Sequence, residues 1–136
     1  MQGIPEIKTP EQARAFFSND RFATGNGMTI ESVEPRHAVI RLELDERHRN
    51  GVGGVMGGVM MTMSDFACAV ASIYDSDSGY VTANANVSFL NAARGKTLFA
   101  ESVCVKRGRM LDFYEVTIKD DLGTLISKAD FTMFRV

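Results

Sequence analysis

The sequence has little cysteine, little histidine and little net charge, and each shortage argues against a class of protein. Cys68 and Cys104 lie in apolar stretches without a Cys-x-x-Cys motif, so we expect two buried free thiols rather than a redox centre. The two histidines, His37 and His48, are too few and too scattered to suggest a metal site. A formal charge of −2 indicates no basic surface for nucleic acid.

Long apolar runs are also missing. The first dozen residues are polar and contain no apolar core of a secretory signal. The low-charge run from Gly51 to Ser64 is interrupted by glycines and does not resemble a membrane span. We therefore expect a cytoplasmic protein, and a length of 136 residues predicts one domain over 1–136.

Hydrophobic periodicity predicts the helices and strands. Thr9, Pro10 and Gln12 form a capping-box pattern that begins a short helix over about 10–18. The segment Val59–Tyr74 is apolar on every side, which predicts a helix buried all round. Strands are predicted around 28–33, and at His37–Asp45, Tyr80–Leu90, Thr97–Lys106, Met110–Lys119 and Thr124–Val136.

The order of these elements predicts the fold class. Consecutive strands joined by short turns pair antiparallel, and an apolar helix needs something to surround it. The expected architecture is therefore α+β, with a curled antiparallel sheet wrapped around a central apolar helix.

Asp65 lies in the middle of the predicted central helix, next to Met61, Met63 and Phe66. A buried, unpartnered carboxylate is costly, so its presence needs an explanation. One interpretation is a hydrogen bond to a backbone group or a hydroxyl, or exposure at a groove. The other is a base or nucleophile in a cleft, where perturbed carboxylates concentrate.

Gly57 and Gly58 stand where the central helix begins. The first N–H groups of a helix have no partner inside it, and together with the helix dipole they suit an oxyanion. The alternative is that the glycines only allow a tight turn. A nucleotide loop is not indicated, because the Gly-Lys-Ser/Thr ending and a correctly spaced third glycine are both missing.

Gly57 and Asp65 are eight residues apart, or about 12 Å along a continuous helix. One carbonyl group cannot lie about 3 Å from both residues of a single chain. If both serve one substrate, Asp65 must come from a second, antiparallel subunit, which predicts a two-fold dimer with two equivalent sites.

These residues resemble the phenylacetate-degradation (PaaI-like) type of hotdog thioesterase. The family pattern is His-x-Asn-x-x-Gly-x-x-His-Gly-Gly, six residues and Asp. Here His48, Asn50, Gly53, Gly57-Gly58 and Asp65 occupy the matching places. The resemblance extends through 81–90 and 107–113 and covers roughly residue 41 to the C-terminus.

The resemblance implies an acyl-CoA thioesterase of the hotdog fold, assembled as a dimer and then as a dimer of dimers. It implies that Gly57 donates its N–H to the thioester oxygen and that Asn50 orients the carbonyl. Asp65 of the facing subunit would activate water or attack directly, and Thr82 would help hold the water. The alternatives are a loop-capping Asn50 and an ordinary strand threonine at 82. His48 is interpreted as a structural loop residue.

Met56 departs from the family pattern, which has histidine there. Methionine offers no useful hydrogen bond, so it either leaves activity intact or makes the pocket more apolar and changes the acyl preference. Met56 and Gly58 are candidate substrate-binding residues.

Coenzyme A is expected only as part of the substrate, and no other cofactor is expected. Its phosphates need cations. The candidates are Arg94, Lys96 and Lys106, with Arg107 and Arg109 preferred.

Two other functions remain open at this level. A hotdog hydratase or dehydratase would want an acid–base pair with a histidine, and neither His37 nor His48 is on the central helix. A non-catalytic binder of acyl-CoA or an aromatic metabolite would gain little from burying the charge of Asp65.

Overall fold

The computed structural model describes residues 3–136. In that range the chain forms three α-helices, a short 3-10 turn and six strands. In chain order these are α1 Pro10–Phe17, α2 Arg21–Gly25, β1 Thr29–Glu34, β2 His37–Glu43, the turn Glu46–His48, α3 Gly57–Ile73, β3 Tyr80–Phe89, β4 Thr97–Arg107, β5 Leu111–Asp120 and β6 Leu125–Arg135.

The six strands make one antiparallel sheet in the order β1-β2-β4-β5-β6-β3. Helix α3 contacts all six strands, which requires the sheet to curl around it. This confirms the expected α+β hotdog architecture. No helix in residues 3–136 is both long enough and apolar enough to cross a lipid bilayer.

Alternating burial explains how the sheet holds α3. Along β2, Ala38, Ile40 and Leu42 are fully buried while their neighbours are partly exposed, as the period of a half-buried strand requires. Strand β5 alternates in the same way, with Tyr114, Val116 and Ile118 facing α3.

The N-terminal helix forms for the reason that the sequence suggested. The Thr9 hydroxyl accepts a hydrogen bond from the N–H of Gln12, and the Gln12 side chain accepts from the N–H of Thr9. The helix ends at Phe17, one residue before the predicted end, and the Phe17 ring packs edge-on against Phe66 of α3 at 5.9 Å.

One prediction about α3 is wrong. The helix is not buried all round, because Gly58, Met61 and Asp65 are exposed on one face. The same side of the molecule carries β3, an edge strand paired only with β6 and exposed over most of its length. Together the exposed face of α3 and strand β3 form an open surface.

Cys68 is buried and Cys104 partly buried, and both are free thiols as expected.

Candidate functional site

Helix α3 begins with two unoccupied donors. Its N-cap is Met56, whose side chain makes no capping hydrogen bond, and the N–H of Val59 already donates to the Met56 carbonyl at 2.9 Å. Within residues 3–136, no protein group accepts from the N–H of Gly57 or Gly58. These two N–H groups lie at the positive end of the helix dipole, so they are available to a carbonyl oxygen or an oxyanion.

Gly57 also lacks room for a side chain. A Cβ added there would lie 3.2 and 3.3 Å from two carbons of the Phe89 ring, whereas a Cβ on Gly58 would meet nothing within 4 Å. Phe89 at the end of β3 therefore packs directly on the first turn of α3. Sequence analysis missed Phe89. Nothing in the sequence of a strand indicates that one of its side chains contacts the first turn of a helix 32 residues earlier.

The glycine-rich loop before α3 is organised by Asn50. Its side-chain oxygen accepts hydrogen bonds from the N–H groups of Val52 and Gly54, each at 3.1 Å. The backbone N–H of Asn50 donates to the Gly54 carbonyl at 2.8 Å. Asn50 therefore caps the loop, which is one of the two roles considered for it from the sequence. Its side-chain NH₂ remains available to donate to another acceptor.

His48 is a structural residue. Its side chain is buried, the N–H of Asp45 donates to Nδ1 at 3.0 Å, and Nε2 lies 2.7 Å from the Asn26 carbonyl. Because Nδ1 accepts, Nε2 carries the proton and donates. Both nitrogens are occupied, so His48 is not placed to act as a base.

Asp65 lies two turns along α3 from Gly57 and pairs with Thr82 of β3. The Thr82 hydroxyl donates to Asp65 Oδ1 at 2.5 Å and also lies 3.4 Å from the Met133 sulfur. A β-bulge between Thr82 and Asn84 interrupts the regular pairing with β6 at this point. Asp65 is exposed and bonded to a hydroxyl, which agrees with the first of its two interpretations; the second, a base or nucleophile in a cleft, stays a prediction.

The two groups of candidate residues line separate cavities. The first cavity, which we call the N-terminal pocket, has a volume of about 440 Å³. It is lined by Gly54, Val55, Gly57, Met60, Phe89, Leu90, Asn91, Ala92, Ala93 and Ile126. The second, the Asp65 cavity, has a volume of about 210 Å³ and is lined by Asp20, Arg21, Phe22, Ala23, Thr62, Asp65 and Phe66. One protomer therefore keeps its free N–H donors and its carboxylate apart, as the spacing on α3 predicted.

Helix α2 forms the outer wall of the Asp65 cavity, and sequence analysis missed it. Its five residues bury only Ala23, which is too little periodicity to predict a helix. Asp20, the residue before α2, lines the cavity opposite Asp65. Burial, followed by the negative charge of Asp65, raises the pKa of the Asp20 carboxyl above its usual value.

The preferred phosphate-binding arginines lie far from Gly57 within the protomer. Arg107 donates to the Tyr80 hydroxyl at 2.6 Å and lies 3.4 Å from the carboxylate of Asp112, near the C-terminal end of α3. Arg109 is exposed in the β4–β5 hairpin. A cavity of about 860 Å³ is also at this end, and neither Gly57 nor Asp65 lines it.

The family model described as "Thioesterase superfamily" matches residues 52–127. An esterase-family protein of Deinococcus radiodurans is 33% identical over 118 residues, which cover 86% of this chain and 80% of that protein. Human acyl-coenzyme A thioesterase 13 is 23% identical over 108 residues, or 77% of each chain.

Solved structures are similar over most of the chain. The E. coli PaaI protein from the phenylacetic acid degradation operon superposes with a TM-score of 0.84 at 22% identity, covering 91% of this chain and 90% of that one. A Streptococcus mutans protein bound to acetyl-CoA superposes with a TM-score of 0.76 at 27% identity, covering 81% and 89%.

Proposed function

Because this chain belongs to the thioesterase superfamily and is a thioester hydrolase, we propose that it hydrolyses coenzyme A thioesters with an uncharged, apolar acyl group of small or medium size, aromatic groups included. The observation that carries the proposal is the pairing of free helix N–H donors at Gly57 with a large apolar pocket beside them. The products are the free acid and coenzyme A.

The lining of the N-terminal pocket supports this substrate class. Val55, Met60, Phe89, Leu90 and Ile126 supply apolar surface, and no charged side chain of the described residues lines the cavity. Burying a second carboxylate there, as in a dicarboxylic acyl group, would leave a charge without a partner. The volume of about 440 Å³ falls within the roughly 300–1,000 Å³ of small-molecule sites.

The reaction divides between two groups of residues. The N–H of Gly57, aided by Gly58 and by the side-chain NH₂ of Asn50, binds the thioester oxygen and stabilises the negative charge that develops there. The carboxylate of Asp65 takes a proton from the attacking water; the water oxygen bonds to the carbonyl carbon, the C–S bond breaks, and the proton passes to the leaving coenzyme A thiolate. Alternatively Asp65 attacks the carbonyl carbon, the C–S bond breaks, the thiolate is protonated by water, and a second step with water cleaves the resulting anhydride. In both cases the Thr82 hydroxyl holds the carboxylate. Water and these protein groups suffice for the proposed reaction, in which coenzyme A is part of the substrate.

A two-fold dimer brings the two groups together. Helix α3 and strand β3 run side by side in opposite directions, since Gly57 packs on Phe89 while Asp65 bonds Thr82. If β3 pairs antiparallel with β3 of a second copy about an axis between Ala85 and Asn86, Thr82 of one copy faces Phe89 of the other. The partner's carboxylate then lies beside the donors at Gly57, and the unpaired edge of β3 is satisfied.

A second contact surface supports an association of two such dimers. Val81, Phe134 and Leu111 are cross-strand neighbours on the outer face of the sheet and are 40%, 38% and 38% exposed. Contiguous exposed apolar side chains mark interaction surfaces. We therefore include a dimer of dimers, packed through the outer face of the sheet, in the proposal.

Met56 contributes to the site as an apolar residue at the N-cap of α3. It is 58% exposed and leaves the first turn uncapped, so the N–H groups after it stay free for a substrate. Arg107 and Arg109 remain the proposed partners of the coenzyme A phosphates, and their distance from Gly57 within one chain means that the partner subunit would supply them.

Within residues 3–136, neither histidine is placed for hydratase chemistry. His48 is buried with both nitrogens bonded, and His37 lies 2.7 Å from Glu101 on the outer face of the sheet. Neither imidazole lines the N-terminal pocket or the Asp65 cavity.

The proposal is tested by hydrolysis of a panel of acyl-CoAs with detection of the free thiol. Wild-type protein is expected to hydrolyse apolar aliphatic or aromatic members and to discriminate against acyl groups with a second carboxylate. Asp65→Asn is expected to lose at least about 100-fold in kcat, the scale of one acid–base residue. Asp130→Asn, on the outer face of the sheet, is the matched control and should retain activity. Equal rates in wild type and Asp65→Asn contradict the mechanism.

A further inference from the structure

Asp120, the last residue of β5, holds two loops together. Its side chain is 3% exposed, and Oδ2 accepts hydrogen bonds from the N–H groups of Arg94 at 2.8 Å and Gly95 at 2.9 Å. Oδ1 accepts from Leu122 at 3.1 Å and Thr124 at 2.8 Å. One carboxylate thus binds four backbone N–H groups, two from the β3–β4 loop and two from the β5–β6 turn.

Asp121 extends the same contact. Its Oδ1 accepts from the N–H of Lys96 at 2.9 Å and of Thr97 at 3.2 Å. A Cβ added to Gly95 would lie 1.9 Å from that oxygen, so only glycine lets the loop approach the carboxylates this closely. We call Asp120 and Asp121 the aspartate pair.

The loop that the aspartate pair holds is a wall of the N-terminal pocket. Asn91, Ala92 and Ala93 line the cavity and directly precede the bound residues Arg94 and Gly95. The other end of the loop is attached to β6, since Asn91 donates its side-chain N–H to the Leu125 carbonyl at 2.9 Å. The wall is therefore fixed at both ends, and its distance from Met60 and Gly57 depends on the aspartate pair.

We propose that Asp120, assisted by Asp121, is a positioning residue for thioester hydrolysis: it fixes the wall of the N-terminal pocket and thereby sets which acyl groups fit. The inference rests on the proposed function, because it takes the pocket beside Gly57 as the acyl site. The aspartate pair touches no substrate. It acts through residues 91–93, so its loss changes acyl selection and KM while the groups at Gly57 and Asp65 stay intact.

The ionisation of Asp120 fits this role. Burial acts to raise its pKa, but hydrogen bonds from the N–H groups of Gly95, Arg94 and Thr124 outweigh burial and lower the pKa to about 2. The carboxylate stays charged throughout the range in which an enzyme is assayed. Four backbone N–H groups donate to its two oxygens, and the single acceptor oxygen of an asparagine cannot bind them all, so a neutral side chain cannot replace it fully.

The test compares Asp120→Asn with Asp112→Asn. Both aspartates are buried on β5, at its opposite ends, and the Asp112 carboxylate lies at the far end beside Arg107. An asparagine at 120 keeps one acceptor oxygen, which can serve the loop or the turn but not both, and its NH₂ faces the remaining N–H groups. For each variant kcat and KM are measured over a series of acyl-CoAs of increasing size.

Asp120→Asn is expected to raise KM about fivefold or more for the best wild-type substrate, to change the ratio of kcat/KM between large and small acyl groups, and to keep kcat within about twofold. Asp112→Asn is expected to leave the ratio unchanged. If Asp120→Asn does not fold, Asp121→Asn, at an exposed position, perturbs the same loop and should change KM and the kcat/KM ratio in the same direction by a smaller amount.

The outcomes separate the two proposals. A folded loop variant whose acyl selectivity and KM equal those of wild type overturns the role of the aspartate pair and leaves the thioesterase intact. A wild-type protein that hydrolyses no acyl-CoA overturns the proposed function, and the inference fails with it. A parallel fall in kcat for every substrate, with unchanged KM and ratio, assigns Asp120 a general structural role and also contradicts the inference.

Discussion

At the scale of single residues, the proposed site contains two neighbouring glycines with different surroundings. Gly57 is packed under Phe89, while Gly58 faces open space. Sequence analysis could predict that both stand at a helix start, because glycine pairs before an apolar run are a local signal. It could not rank them, since the ring that distinguishes them comes from a distant strand.

Alanine substitutions should separate these glycines. Gly57→Ala forces the Phe89 ring or the helix start to move by a few tenths of an ångström, so we expect about a tenfold or greater loss in kcat/KM, equivalent to about 1.4 kcal/mol. Gly58→Ala meets nothing and should stabilise the protein by roughly 0.5–1 kcal/mol through lower backbone entropy in the unfolded chain. Thermal unfolding and steady-state kinetics measure the two effects.

The double variant Gly57→Ala/Phe89→Leu tests the cause. A smaller side chain at 89 relieves the contact, so the double variant should recover part of the activity that Gly57→Ala loses, a non-additive result. Additive losses would show that the Phe89 contact is not what requires glycine at 57.

At the scale of secondary-structure elements, the sequence predicts well where the strands begin and end. It predicts poorly which distant backbone groups their side chains contact. Predicted strand ends lie within one or two residues of the observed ends for β2–β6, because alternation and turn residues are local signals. The gap between the predicted strands Met110–Lys119 and Thr124–Val136 contains the turn that joins β5 and β6. That its carboxylates would bind a loop 25 residues earlier has no local signal, because the contact depends on the register of β4 and β5.

Asp120 and Asp112 lie at opposite ends of β5, and their contributions to the free energy of unfolding should depend on pH in opposite ways. The pKa of Asp120 is lowered on folding, so its stabilisation is present above the unfolded value near 3.8 and is lost as pH falls towards about 2. Asp120→Asn should therefore lower the free energy of unfolding at pH 6, by about 1–2 kcal/mol, and much less at pH 2.5. Urea unfolding at both pH values measures this.

Asp112 provides the contrast in the same experiment. Burial raises its pKa, with Arg107 partly opposing, so its ionised form is less stable in the folded protein than in the unfolded chain. Any stabilisation that Asp112 gives is present at low pH and is lost as pH rises through its folded pKa. Asp112→Asn should thus keep or increase stability at pH 6, and an equal loss in both variants would contradict the assignment to Asp120.

At the scale of the whole molecule, the incorrect prediction that α3 is buried on every side bears on the proposed dimer. An all-apolar helix predicted complete burial, yet the described chain leaves the face with Met61 and Asp65 open. The apolar pattern of α3 still indicates that this face is covered in the working protein. The sequence of one chain does not show what covers it. A second copy, paired along β3, would cover this face and complete each site with the partner's Asp65.

Mixed dimers test that completion directly. Asp65→Asn and Gly57→Val chains are each expected to be inactive alone, because every site in either homodimer lacks one component. After co-expression or proven subunit exchange, half of the dimers carry both chains, and one of the two sites in each has an intact Gly57 and an intact Asp65. Activity should therefore return to about a quarter of the wild-type value. Light scattering during exchange confirms that the species is a dimer or a dimer of dimers. Mixed dimers that form and stay inactive would place Gly57 and Asp65 of the same chain in one site, which the separation of about 12 Å along α3 opposes.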